Sequence, residues 1–244
     1  MATQIALGEL VIDVTRKNIK NVHLSVYPPT GAVRISAPSR MSLDTIRLFA
    51  ISKLGWIKKQ QTKLAEQERE SVREYVDRES HYVWGRRYLL KVVEVEAAPS
   101  VQIQHGTLLL CVRHGADTTT RESVVEAWYR HILRAEAAPT VEGWEQRLDV
   151  QVDRVFVQRM KTRWGSCNPK AGSIRLNTAL ALKPKECLEY VVVHEMAHLL
   201  EASHGPRFVA LMDRFMPNWR EQRERLNRLP ARHEMWKCES SAEG

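Results

Sequence analysis

The chain has 244 residues, enough for one large domain or a main domain with a smaller appendage. Its hydrophobic content of 43% and charged content of 27% are those of a folded globular protein and exclude wholesale disorder. The formal net charge of +8 admits acidic partners such as nucleic acid or nucleotides, but basic and acidic residues alternate through 57–80 and 219–228, as on a solvated helical surface.

Residues 8–38 read as short strands. Leu10, Ile12 and Val14 alternate with polar neighbours, and Val22, Leu24 and Val26 alternate with His23 and Ser25. A turn at Pro28-Pro29-Thr30-Gly31 returns the chain into a strand at AVRISA. Ser42 is placed to cap a helix expected over 43–75, with Ile46, Phe49, Ile51, Leu54, Ile57 and Leu64 along it. HYVWGRRYLLKVVEV and VQIQHGTLLLCVRH have strand composition, each with an internal glycine for a turn or bulge. Helical spacing returns over 119–146 through Val124, Val125, Trp128, Ile132 and Leu133. Strands are expected at 153–160 and 173–177, around the loop KTRWGSCNPKAG. From Pro184 a helix runs to about Leu200, a second spans 206–216, and a basic third spans 218–228 after Pro217. The residues after Pro230 read as a loose tail, and no internal repeat is visible.

Cys111, Cys167, Cys187 and Cys238 are widely separated and form no CxxC pair, the pattern of free thiols in an intracellular protein. The first residues lack a signal-peptide pattern, and no stretch approaches the roughly 20 apolar residues of a membrane span. The expected setting is the cytoplasm, with no membrane.

The chemistry concentrates at His194-Glu195-Met196-Ala197-His198. On a helix, residues four apart share one face, so both imidazoles can reach one metal ion. Glu195 lies about 100° around the helix, beside the metal, where its carboxylate can act as general base. Two histidines leave a site incomplete, and His204, just before Gly205-Pro206, is the expected third ligand. Metzincin proteases share this ligand spacing, but Glu201 stands where they carry glycine, and Glu201 is itself the rival third ligand. Three neutral imidazoles leave an open position, the pattern of a catalytic zinc. Cys167 is a remote alternative ligand or nucleophile, while Tyr190, Arg207 and His233 are candidate helpers at an oxyanion.

RWGSC (163–167), YVVVHEMAHL (190–199) and HGPRF (204–208) resemble the YgjP-like family of metal-dependent hydrolases, similar in turn to SprT-like and WLM zinc metallopeptidases. Weaker similarity, including YVWGRRYLL (82–90), extends over nearly the whole chain. The resemblance implies that the two helix histidines and the histidine of the HGP element bind the metal. It also implies an α+β fold with a zincin-like core, its HExxH helix packed on a short sheet. The expected organisation is a β-rich N-terminal region over 1–115, a metallohydrolase core over 116–230 and a flexible tail over 231–244.

The leading function is that of a zinc-dependent metallopeptidase, with water activated by Glu195 attacking a peptide carbonyl. Lys161, Arg163, Trp164 and Arg207 are the expected substrate-binding residues, and 161–167 could serve as an edge strand for an extended peptide. Trp164 can equally pack over a tight turn at Gly165. Two alternatives stand beside this reading. One is a metal-dependent nucleoside triphosphate (UTP-type) pyrophosphatase, with Lys161, Arg163 and Lys170 on the phosphates. The other is a DNA-associated SprT-like protease or binding module with weak nucleic-acid association through Arg220, Arg223, Arg225 and Arg228, a face interrupted by Glu221 and Glu224.

Overall fold

The structure, a computed structural model, describes residues 3–27, 30–66, 73–160 and 163–229. The turn at Pro28-Pro29 and the tail after 230 therefore lie outside the described residues. Contacts divide the chain into two compact units, parting between residues 70 and 71. Residues 71–115, read from sequence with the N-terminal region, are counted in the second unit.

The first unit holds β1 (Thr3–Leu7), β2 (Leu10–Lys17), β3 (His23–Tyr27) and β4 (Ala32–Pro38), in the sheet order β1-β2-β4-β3. Alternation along the strands puts Ile5, Ile12, Val14, Val26, Val33 and Ile35 on one face, where they form a core with Ile46, Ala50 and Ile57. Those last three come from α1 (Leu43–Ser52) and α2 (Leu54–Glu66). Ser42 caps α1 by accepting from the Thr45 N–H, as its position predicts. The helix expected over 43–75 is two helices as far as Glu66, broken at Lys53, whose N–H closes back on the Ala50 carbonyl; residues 67–72 lie outside the described residues, and 73–75 are not helical.

The second unit opens with β5 (Ser80–Val83), β6 (Arg86–Glu94), β7 (Ser100–Gln104) and β8 (Thr107–Val112), ordered β5-β6-β8-β7. This is the connectivity of the first sheet again. In each, two antiparallel hairpins join through a central parallel pair, β2 with β4 and β6 with β8. Each sheet is followed by a side-chain-capped helix, since Asp117 accepts from Thr120 as Ser42 does from Thr45. The repeat escapes a reading of the sequence because strand pairing constrains alternation and turns, not residue identity.

The helix α3 (Thr118–Leu148) buries Val125, Tyr129, Leu133, Ala137, Val141, Trp144 and Leu148 along one stripe. It reaches β5 through the Tyr129 hydroxyl, which donates to the Tyr82 carbonyl at 3.0 Å. A three-stranded sheet comes next, of β9 (Arg154–Gln158), β10 (Gly165–Asn168) and β11 (Ser173–Asn177), ordered β10-β11-β9. β10 is antiparallel to β11, and β11 parallel to β9. The stretch expected as a loop thus contains a strand, and it is an edge.

The helix α4 (Lys185–Leu200) packs against α3, β10 and β11. It buries Cys187, Leu188, Tyr190, Val191, Val192, Val193, Met196 and Ala197 around much of its circumference, as befits a core helix. Trp144 Nε1 of α3 donates to Glu189 at 3.0 Å. The chain continues with α5 (Pro206–Phe215), Pro206 in its first turn, and α6 (Trp219–Arg228). The architecture is α+β, as expected. Among the described residues no helix is long and apolar enough to cross a membrane.

Gly85 tests the seating of α4. It has φ of +77°, and a β-carbon there would lie 2.9 Å from Cγ of Pro184, the residue that caps α4. Gly85→Ala combines left-handed strain with a rigid clash and is expected to cost about 1–3 kcal/mol, read from the denaturation midpoint. An unchanged midpoint would show that the β5–β6 turn does not brace the start of α4.

Candidate active site

His194 and His198 project from α4, and His204 from the connection to α5, which starts two residues later at Pro206. Their Nε2 atoms converge. His204 Nε2 lies 3.1 Å from His194 Nε2 and 3.1 Å from His198 Nε2. Nitrogens sharing a tetrahedral zinc at about 2.0–2.1 Å would stand roughly 3.3 Å apart, so the three imidazoles fit one ion. They are a group that could hold a metal among the described residues.

The imidazoles are kept neutral. Burial drives His194 down to about 3, helped by the neighbouring His198 and His204. Burial also lowers His198 and His204. Nitrogen lone pairs are therefore available at neutral pH. His198 Nδ1 lies 3.0 Å from the Glu201 carbonyl oxygen, and the tautomer that donates to it carries no proton on Nε2.

Glu201, the rival third ligand, is turned elsewhere. Its carboxylate accepts from the Ser203 N–H and hydroxyl and lies 3.8 Å from Arg207. His204, not Glu201, is the side chain that approaches His194 and His198.

Phe208 went unassigned in the sequence reading and proves central. Its ring stacks on His198 at 4.6 Å between centroids and meets His194 and His204 edge-on at 4.9 Å each. It is 2% exposed. Its position four residues after His204 was the available signal, since the first turn of α5 brings that side chain back under the histidine. Met212 and Met216 are buried, as expected of core residues.

Glu195 is 6% exposed, and burial raises its carboxyl to about 8 against the opposing pull of Arg163. Gly165 is not the turn the sequence suggested but the first residue of β10, laid directly on this carboxyl. A β-carbon at Gly165 would stand 2.6 Å from Glu195 Oε1 and 2.7 Å from Cγ. Glycine is needed there for close approach.

The expected substrate residues separate. Arg163 is exposed, and close enough to Glu195 to act on it electrostatically. Trp164 is 5% exposed and packs as core. Arg207 is exposed beside Glu201. Lys161 and His233 lie outside the described residues. Tyr190 is buried, its ring 5.8 Å from that of His194. The arginines of α6 are occupied: Arg220 pairs with Asp213, Arg225 with Glu186 and Arg228 with Glu224, while Arg223 lies over Trp219. Of the remaining histidines, His81 lies in β5, fully buried and 3.2 Å from Glu79.

Residues 20–229 match the family described as "YgjP-like, metallopeptidase domain". The protein is thus of the metallopeptidase class, one that implies a bound metal ion. More narrowly, the chain belongs to the YgjP-like family. No curated protein matches it. Among solved structures it is similar to the metallopeptidase zymogen abylysin of Pyrococcus abyssi, with 24% identity over 36% of this chain and 89% of that one. The TM-score of 0.34 makes that likeness too slight to bear on this fold.

Cys167 of β10 gives a direct test of the local environment. Burial, and next the charge of Glu195, raise its thiol to about 11. It should therefore remain a thiol at neutral pH and alkylate more slowly than a free cysteine peptide, gaining about tenfold per pH unit until near that value. Peptide-resolved mass spectrometry after iodoacetamide treatment measures this; labelling at Cys167 as fast as the free peptide at pH 7 would contradict the burial.

Proposed function

We propose that this protein is a zinc-dependent metallopeptidase with a zincin-like core, in which His194, His198 and His204 hold the metal and Glu195 is the general base. The observation that carries the reading is the convergence of three neutral imidazole nitrogens beside a buried carboxyl that borders an edge strand. The all-nitrogen donor set suits zinc. Bound there, zinc supplies Lewis acidity, polarising a carbonyl and acidifying water.

The protein residues supply the rest. Glu195 accepts the proton of the attacking water and passes it to the departing amine. Accepting that proton requires the carboxylate form, which burial opposes and which Arg163, and a metal cation held by the three histidines, would favour. Among the described residues β10 pairs with β11 alone, so its other edge can pair with an extended peptide backbone. Gly165 sets that edge against Glu195. Arg163, exposed at the start of the strand, is the best placed of the candidate substrate contacts. The paired arginines of α6 weaken a nucleic-acid role for that helix, and no specific observation favours nucleotide hydrolysis.

Glu195→Gln is expected to retain stoichiometric zinc and lose about 10²–10⁴-fold in peptide turnover. Full turnover in that variant would remove Glu195 as the base. His194→Ala, His198→Ala and His204→Ala should each lose zinc on dialysis, as read by elemental analysis. Retention at one equivalent in the His204 variant would move the third ligand elsewhere.

A further inference from the structure

Gly165 lies so close to the Glu195 carboxyl that even one added carbon would collide. One side chain holds Met160 and Arg163, the described residues on either side of 161–162. Asn177, last residue of β11, is 1% exposed. Its Nδ2 donates to the Met160 carbonyl at 2.8 Å and to the Arg163 carbonyl at 2.7 Å. Its own N–H donates to the Trp164 carbonyl at 2.8 Å. Its Oδ1 accepts from the Ala179 N–H at 3.1 Å, capping the 3-10 turn Thr178–Leu182.

The amide orientation is set by this network. Reversed, its oxygen would face two carbonyl oxygens and its NH₂ would face a backbone donor. The Ala179 contact anchors the amide to a fully buried turn, and that turn packs on both α3 and α4. Met160 and Arg163 are therefore referenced to the same core that carries the histidines. Neither Met160 nor Arg163 lies in a strand, so these bonds replace sheet pairing where the chain has none.

We propose that Asn177 is a positioning residue: by gathering the carbonyls of Met160, Arg163 and Trp164, it seats the free edge of β10 on Glu195 and so aligns an extended peptide with the base. The alignment of a peptide rests on the metallopeptidase reading above; the seating of the strand does not. Asn177 acts through Gly165, not by direct contact with the reacting groups.

The decisive variant is Asn177→Asp, close in volume to the original. It keeps the acceptor for Ala179 but replaces the donor to Met160 and Arg163 with a second oxygen. The full chain, loaded with zinc, is compared with its parent by zinc content, by hydrogen–deuterium exchange, and by cleavage of internally quenched fluorogenic peptides of two lengths. One length spans β10, and the other is a blocked dipeptide too short to pair along it. Zinc content and exchange through 190–200 should be unchanged. Exchange through 163–168 should accelerate by about tenfold or more. KM should rise by about tenfold for the long peptide and much less for the short one, because strand pairing is what has been lost.

A fall in kcat with both KM values unchanged is what a smaller folded fraction produces, and it would overturn the proposal. So would unaltered exchange at 163–168. If the parent cleaves neither peptide, the metallopeptidase reading fails, while the exchange result still decides whether Asn177 seats the strand. Should Asn177→Asp not fold, Gly165→Ala displaces β10 from the α4 side with the Asn177 bonds intact. It is expected to raise KM with the same dependence on length, and equal effects on both peptides would count against the seating.

Discussion

Three imidazoles can share a few ångströms only if their rings are held together and kept uncharged, and burial against Phe208 does both. The ring of Phe208 contacts all three histidines, and the surrounding apolar residues of α4 remove the solvent that would stabilise an imidazolium. The same dry environment acts in the opposite sense on Glu195, holding its carboxyl protonated to higher pH than an exposed one. A single constraint, desolvation around α4, thus lowers three imidazoles and raises one carboxyl.

Placing such groups inside a core demands that every neighbouring element be fixed. α3 is joined to α4 through Trp144 and Glu189, and the turn before β6 rests on Pro184 at the head of α4. β10 arrives at Glu195 through a glycine because nothing larger fits. The site is therefore a meeting of elements far apart in sequence, with α4 as their common support. The recurrence of one four-stranded pattern in both units shows the same economical way of building a half-covered sheet used twice: two hairpins joined through a parallel pair, then a capped helix.

Several elements could be read directly. The alternation of Ile12 and Val14, the cap at Ser42 and the proline starts of the later helices encode local geometry that tertiary contacts had no reason to override. The break at Lys53 was hidden because apolar spacing continues through Ile51, Leu54 and Ile57, and spacing alone does not report an interruption of hydrogen bonding. β10 was hidden too. Asn168-Pro169 and Ala171-Gly172 are turn signals, and a strand of four residues beside them has too little alternation to stand out.

The pairing of His194 with His198, and the placing of Glu195 one residue on, follow from the helical repeat, so the sequence by itself determined that half of the candidate site. The convergence of His204 on the helix histidines while Glu201 turns to Ser203, the Phe208 platform, the burial of Trp164 and the contact of Gly165 with Glu195 are visible only in the tertiary structure. The physical reason is one of range. A helix sets directions over four residues, whereas these contacts depend on where a turn, an edge strand and a neighbouring helix come to rest against it.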